Sequence, residues 1–188
     1  QQAIRLVRED LPPGYYRELP KLSAGKLQGY PRVYALAREL LVYSESHLAI
    51  DQVVRFVQAY QWHAPLTTGE LWALPIMLRL SILELLADTL ASVVGATDTI
   101  VRQPPAAVEI PEGASSDGVV AGCVTSLRAL ATHDWEAFFD AVSRVEDTLR
   151  SDPAGAYEHM DADTRAAYRR VVEELARGTG MDEEAVAR

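Results

Sequence analysis

The stretch LTTGELWALPIMLRLSILELL, from Leu66 to Leu86, decides the predicted fold class of this chain. Thr67 and Glu70 have the T-x-x-E spacing of a capping box, which satisfies backbone donors at the start of a helix. Apolar residues then occupy every face, a pattern typical of a helix enclosed by other helices or by a membrane. Arg79 and Glu84 interrupt the run before about 18 uncharged apolar residues have accumulated, so a membrane span is not expected. We expect these side chains of the helix to be buried: Trp72, Met77 and Leu80.

Helical periodicity also predicts helices on both sides of this segment, and no alternation typical of strands is seen. We therefore predict an all-α fold, an antiparallel multi-helix bundle around one long central helix. The central helix is expected to continue to about Val101. Residues 1–29, rich in Pro and Gly, are interpreted as an extended N-terminal arm. Residues 30–150 are predicted to form the bundle, and residues 151–188 a C-terminal helical extension packed on it.

Two predicted helices in the C-terminal half have defined caps. Asp134 is a suitable cap for one continuous helix that ends at about Ser151. Asp161 is the predicted cap of another, which the glycines at 178 and 180 should end. The apolar residues expected on the inward face of this second helix are Tyr168, Val171, Val172 and Leu175.

Composition limits the classes of partner. The chain has 188 residues and a formal net charge of −9, which argues against nucleic acid or an anionic membrane as a partner, since both attract basic surfaces. Cys123 is the single cysteine and lies in an apolar run, so it is interpreted as a small buried hydrophobic residue. The chain begins without Met, and we expect it to be a piece of a longer protein.

No motif points to a resident metal or cofactor. The four histidines lie near predicted helix ends and lack the spacing of metal ligands. The sequence also contains no glycine-rich phosphate loop and no nucleophile elbow. We therefore predict no cofactor, no metal site and no catalytic residue.

Charged and aromatic residues within apolar helices are the remaining candidates for a site. Glu84 and Asp88 are four residues apart on one helix face, a spacing that suits acid–base chemistry but also pairing with an arginine from a neighbouring helix. We expect Arg79 to pair with one such carboxylate, from Glu39, Glu70 or Glu84. Aromatic rings can stack on sugars or pack in a core. The candidate binding residues are Tyr30, Arg32, Tyr34, Tyr60, Trp62, Glu70, Trp72, Arg79 and Glu84.

Four long segments resemble a known family in their order and content. They read LPKLSAGKLQGYPRVYALAREL from Leu19 to Leu40, FVQAYQ from Phe56 to Gln61, PLTTGELWALPIMLRL from Pro65 to Leu80, and DPAGAYEHMDADTRAAYRRVVEELA from Asp152 to Ala176. Together they are similar to the N-terminal region of cyclic β-1,2-glucan synthases, and the resemblance extends over about residues 15–188.

The resemblance implies a large inner-membrane enzyme that polymerises glucose from UDP-glucose and cyclises the product. No catalytic motif of that enzyme maps onto this chain, so the implied role is a non-catalytic helical accessory domain, inactive by itself. Its expected partners are the glycosyltransferase and membrane segments of the parent chain, with glucan as a further candidate. The expected location is cytoplasmic, tethered to the inner membrane through the parent protein, with no membrane insertion of these residues.

Two other functions are open from the residues. One is a carbohydrate-binding module that holds glucan on tyrosine and tryptophan rings, which requires exposed aromatics along a groove. The other is a free-standing hydrolase that uses Glu70, Glu84 or Asp88, which requires two unpaired carboxylates in a pocket. Aromatics within the core and carboxylates bonded to arginines favour the accessory domain.

Overall fold

A computed structural model describes residues 15–95 and 115–188. Its elements are helical and confirm the all-α prediction; across these two ranges no β-strand occurs, and an isolated bridge joins Lys21 to Pro31. A 3₁₀ turn covers Tyr157–His159. The helices are α1 (Tyr15–Glu18), α2 (Arg32–Tyr43), α3 (Ile50–Gln61), α4 (Thr68–Val94), α5 (Ser116–Thr132), α6 (Trp135–Val142), α7 (Arg144–Arg150), α8 (Ala162–Thr179) and α9 (Glu183–Ala187).

The long central helix is confirmed as α4, whose 27 residues continue through Pro75. Its start is a reciprocal capping box: the Thr67 amide donates to Glu70 Oε2 at 3.0 Å, and the Glu70 amide donates to Thr67 Oγ1 at 3.2 Å. Met77 is buried as predicted, and Leu80 is half-buried. The predicted continuation to Val101 lies outside the described residues.

The prediction that Trp72 is buried is wrong. This side chain is 39% exposed. Its ring stacks on that of Phe139, with 4.7 Å between centroids and 16° between planes. A stacked ring has one face covered by its partner, and the exposed fraction shows that solvent reaches the rest.

The described residues form two compact units. The first contains residues 15–56, 73–95 and 115–133, and the second contains residues 57–72 and 134–188. The predicted division into an arm, a bundle and an extension stays a prediction, and residues 1–14 of the arm lie outside the described ranges.

The first unit has a close contact between α5 and the turn after α2. Ser126 Oγ accepts a hydrogen bond from the Leu48 amide at 2.8 Å and donates one to the Ser46 carbonyl at 2.7 Å. Ser46 has a φ of +68° in this turn. Gly122, one helical turn before Ser126, leaves the space that the turn occupies. The neighbouring Cys123 is buried, as the apolar run predicted.

The second unit contains two helices where one was predicted after Asp134. Ser143 has φ −79° and ψ 114°, which ends α6 at Val142. Its Oγ accepts a hydrogen bond from the Glu146 amide at 3.2 Å and so caps α7. The break turns the chain at a serine that the sequence pattern places inside a helix.

Helix α8 confirms its predicted ends but not its predicted inward face. Asp161 Oδ1 caps it by accepting from the Thr164 amide at 2.8 Å, and Gly180 follows with a φ of +70°. The buried residues are Arg169, Val172 and Ala176, whereas Tyr168, Val171 and Leu175 are 47–52% exposed. Only Val172 of the predicted inward residues is buried, because the helix turns an arginine inward.

Candidate functional site

The nine candidate binding residues are distributed over both units. Tyr30, Arg32, Tyr34, Arg79 and Glu84 belong to the first unit. The second unit contains the others: Tyr60, Trp62, Glu70 and Trp72. A ring contact and a hydrogen bond bring three of the nine together in the first unit, namely Tyr30, Tyr34 and Glu84.

The polar centre of the first unit is a cluster of Tyr34, Arg38 and Glu84, here called the Glu84 cluster. The Tyr34 hydroxyl donates to Glu84 Oε2 at 2.7 Å. Arg38 Nη1 lies 3.0 Å from the Tyr34 hydroxyl oxygen and 3.3 Å from Glu84 Oε2, and donates to both. The Arg38 and Glu84 side chains are 6% and 21% exposed. One carboxylate oxygen of Glu84 is therefore occupied by two donors.

Burial dominates the electrostatics of this cluster. It raises the pKa of Glu84, although the Tyr34 hydrogen bond and the Arg38 charge oppose the shift and the Asp88 charge adds to it. Burial, followed by hydrogen bonding to Glu84, also raises the pKa of Tyr34 well above its usual range. Tyr34 is thus a neutral donor at all ordinary pH values.

Further tyrosine rings surround the cluster. Tyr30 stacks on Tyr34 with 5.7 Å between centroids and 30° between planes. Tyr16 is 41% exposed, and burial, Tyr30 and the Glu84 charge raise its pKa. Neither Tyr16 nor Arg38 was among the nine candidates. The spacing of four between Tyr34 and Arg38 on one helix was a usable signal for Arg38, whereas nothing in the sequence linked Tyr16 to this place.

Arg79 donates to the main-chain carbonyl of Leu130 at 3.3 Å. Its predicted pairing with a carboxylate stays a prediction. Arg32 is half-buried at the start of α2, where its amide donates to the Pro20 carbonyl at 2.8 Å. The Arg79 side chain therefore contacts the main chain of α5, whereas the Arg32 bond is made by its own backbone amide.

The candidates of the second unit have different environments. Glu70 is fully buried in the capping box. Trp72 stacks on Phe139, and Tyr60 is half-buried. Trp62, which follows α3, is 85% exposed and is the most exposed large apolar side chain among residues 15–95 and 115–188. Among the described residues of the second unit, the Trp62 and Trp72 rings do not contact each other.

Sequence reasoning missed the strongest charge cluster of the second unit, here called the Glu146 cluster. Glu146 is fully buried in α7. Its Oε2 accepts from Arg169 at 2.8 Å and from the Tyr157 hydroxyl at 2.8 Å, and its Oε1 accepts from Arg150 Nε at 2.9 Å. Arg165 Nη1 lies 3.6 Å from the same Oε1. Both carboxylate oxygens are therefore occupied.

Hydrogen bonds decide the ionisation of Glu146. Its burial favours the neutral acid, but the donors on Tyr157, Arg169 and Arg150 outweigh burial and hold the pKa below its usual value. Burial and the bond to Glu146 raise the pKa of Tyr157 to about 12. The carboxylate is charged near neutral pH and held by positive partners, an arrangement typical of a structural ion-pair network.

Within residues 15–95 and 115–188, no group of three or more His, Cys, Asp or Glu side chains is arranged to hold a metal ion. No helix in the same ranges combines the length and apolar character needed to cross a membrane.

The sequence of the chain is similar to one part of a known protein. No family model matches the chain. The chain is 26% identical, over an alignment of 254 residues, to the cyclic β-(1,2)-glucan synthase NdvB of Rhizobium meliloti strain 1021. The alignment covers 99% of this chain but 9% of that protein. The resemblance predicted from the four motifs is thereby confirmed: nearly all of this chain is similar to one part of a cyclic β-(1,2)-glucan synthase.

Proposed function

We propose that these residues form a non-catalytic helical accessory domain of a cyclic β-1,2-glucan synthase. The observation that carries the proposal is that the buried carboxylates are occupied by hydrogen-bond donors. Glu146 has donors on both oxygens, Glu84 bonds to Tyr34 and Arg38, and Glu70 bonds to the start of its own helix. Groups held in this way have their oxygens occupied by donors of the fold and are poorly placed to accept or release protons during a reaction.

The similarity to a glucan synthase supports the connection with cyclic glucan synthesis. In this proposal the whole protein polymerises glucose from UDP-glucose and the domain supports or positions its glycosyltransferase. The domain lies on the cytoplasmic side and is tethered to the inner membrane through the rest of that protein. Its partners are the glycosyltransferase and membrane segments, and it binds no nucleic acid.

A free-standing hydrolase has less support. Glycoside hydrolysis needs one carboxyl group able to donate a proton and a second one free to attack or to activate water. Glu84 has the raised pKa of a candidate acid, but its Oε2 is bonded to Arg38 and Tyr34. Glu70 is enclosed in its capping box, so of the three proposed carboxylates only Asp88 forms no side-chain hydrogen bond or ion pair within the described residues.

Carbohydrate binding is a second candidate, favoured by one observation. The Trp62 ring is 85% exposed, and an exposed indole face can stack on a glucose ring.

A fluorescence titration tests both functions. The purified chain is titrated with β-1,2-glucan oligomers and, separately, with UDP-glucose, while tryptophan emission is recorded. The accessory domain predicts no saturable change with either ligand. Because Trp62→Ala also removes a fluorescent reporter, glucan binding by this variant is measured by isothermal titration calorimetry. Glucan binding that Trp62→Ala abolishes, and that the control Tyr43→Ala retains, would establish the carbohydrate-binding function; Tyr43 is 77% exposed in the first unit.

A further inference from the structure

Helix α8 presents an exposed apolar stripe to solvent. Tyr168, Val171 and Leu175 are 47%, 52% and 52% exposed. They are spaced by three and four residues, so they lie along one side of the helix. The opposite side, with Arg169, Val172 and Ala176, is buried within the second unit. The three side chains form a small contiguous apolar patch on a helix that is already packed on its other side, and such a patch is a candidate interaction surface.

Charged residues border the stripe on one side. Arg170 precedes Val171 and Glu174 precedes Leu175, so both are displaced from the stripe in the same rotational direction. Both are exposed, and neither side chain forms an ion pair or hydrogen bond with another residue in the described part of the chain. The stripe thus has a positive and a negative charge on one flank, both available to a partner.

The stripe and its charged flank can pair with the same surface of a second copy of the chain. When two copies of α8 lie antiparallel about a twofold axis near residues 171 and 172, Tyr168 of one copy faces Leu175 of the other. In the same arrangement Val171 faces its own equivalent, and Arg170 faces Glu174. A twofold interface brings the same surface of both copies together and repeats every contact twice. Each apolar residue then meets an apolar residue, and each charge meets its opposite.

We propose that α8 is a self-association surface, through which two copies of this chain pair antiparallel along the stripe of Tyr168, Val171 and Leu175. The inference goes beyond the accessory role and does not depend on it. A single pair of helices buries less than the roughly 1,600 Å² of a standard interface, so the dimer is weak, with a dissociation constant on the order of 100 µM.

Sedimentation velocity of the 188-residue chain tests the proposal between about 10 µM and 1 mM, a range that brackets such an affinity. The weight-average mass should rise from that of a monomer toward that of a dimer. Val171→Glu should keep the chain monomeric, because it places two like charges against each other at the axis. The matched control is Val124→Glu on α5, where the valine is also 40% exposed and the dimer should persist. A monomer at every concentration of the unmodified chain would overturn the proposal.

Exchange of the charges at Arg170 and Glu174 tests the dimer with variants whose effect on association does not depend on a folding defect. Arg170→Glu and Glu174→Arg should each weaken association on the order of fivefold, since the twofold axis repeats each repulsive pair. The double variant Arg170→Glu/Glu174→Arg restores opposite charges and should return the affinity to within about twofold of the original, as expected for paired residues. Additive weakening in the double variant would contradict the pairing.

Disulfide trapping tests the direction of the helices. A mixture of Tyr168→Cys and Leu175→Cys chains should oxidise mainly to the mixed dimer, because these positions face each other in the antiparallel arrangement. The native Cys123 is buried and should not react in either chain. Preferential formation of the two unmixed dimers would require parallel helices and would overturn the proposed arrangement.

Discussion

Arg169 and Glu146 form a buried ion pair in the second unit, with Arg169 Nη1 2.8 Å from Glu146 Oε2 and side chains that are 8% and 0% exposed. The pair connects α8 to α7. It explains why α8 turns an arginine inward: the guanidinium donates a hydrogen bond and a positive charge to a carboxylate that has no access to water. Removal of one partner from such a pair leaves an uncompensated buried charge, which is costly.

Glu146→Gln should therefore destabilise the fold by about 3–5 kcal/mol, because the buried Arg169 loses the charge that compensates its burial. Urea denaturation followed by circular dichroism measures the loss. Glu158→Gln, at an exposed position nearby in sequence, is the control and should change the free energy of unfolding by less than about 0.5 kcal/mol. Equal small effects of both variants would show that the Glu146 cluster contributes little to stability.

The pH dependence of stability should differ between Glu146 and Glu84. The pKa of Glu146 in the folded state lies below the usual value of 4.5, so its stabilising contribution is complete above pH 4.5 and is lost as the pH falls through the folded pKa. The advantage of the unmodified chain over Glu146→Gln should thus shrink in acid.

The stability contribution of Glu84 should depend on pH in the opposite direction, since its pKa in the folded state is raised above 4.5. Its protonated form is favoured by folding, so this contribution is present at low pH and is lost as the pH rises through the folded pKa. Between pH 4.5 and neutrality, the free energy of unfolding of the unmodified chain should therefore fall relative to that of Glu84→Gln. Denaturation curves at several pH values measure both trends, and parallel curves for all three chains would contradict them.

Gly122→Ala should destabilise the first unit by about 1–3 kcal/mol, as expected for overpacking of a filled site. A Cβ at this position would collide with Ser46 Oγ and would lie 2.8 Å from His47 Cε1. Gly178→Ala in α8 is the matched control, because nothing lies within 4 Å of its added Cβ. The control should stabilise the helix by up to about 1 kcal/mol at low protein concentration. Thermal unfolding of the two variants should consequently shift in opposite directions, and a shift in the same direction would contradict the packing described for α5.

Glu183 acts as a cap for α4 within the second unit. Its Oε2 accepts hydrogen bonds from the Thr68 amide and the Thr68 hydroxyl, both at 2.7 Å. Glu183→Ala should cost about 1–2 kcal/mol because both donors lose their acceptor. Glu183→Gln keeps an acceptor oxygen and should cost clearly less. Hydrogen exchange at the Thr68 amide is the measurement, and equal protection in the three chains would exclude a capping role for Glu183.

The helices and most of their ends were predictable because their signals are local. The capping box of Thr67 and Glu70, the cap at Asp161 and the left-handed Gly180 each depend on residues within a few positions of one another. Ser143 shows the limit of this reasoning. It lies in a stripe with helical periodicity, yet its side chain ends one helix and caps the next.

The polar clusters were predictable only in part because their members come from distant positions. Tyr34 and Glu84 are 50 residues apart, and Glu146 and Arg169 are 23 apart on different helices. Periodicity predicts which side of a helix is apolar but not which buried carboxylate meets which arginine. The inward face of α8 was predicted wrongly for the same reason. An arginine is expected to be exposed, and the sequence does not show that the buried Glu146 lies beside Arg169.

The most direct test of the non-catalytic accessory role is an assay for UDP release. The purified 188-residue chain is incubated with UDP-glucose and magnesium or manganese, with and without β-1,2-glucan oligomers. A glucosyl transferase must position a nucleotide diphosphate with a metal or a basic cradle. The described residues offer no metal-binding group, and the whole chain has a net charge of −9. We predict no UDP above the buffer blank. Steady turnover that Glu84→Gln abolishes in a folded chain would contradict the account and place a catalytic centre within these residues.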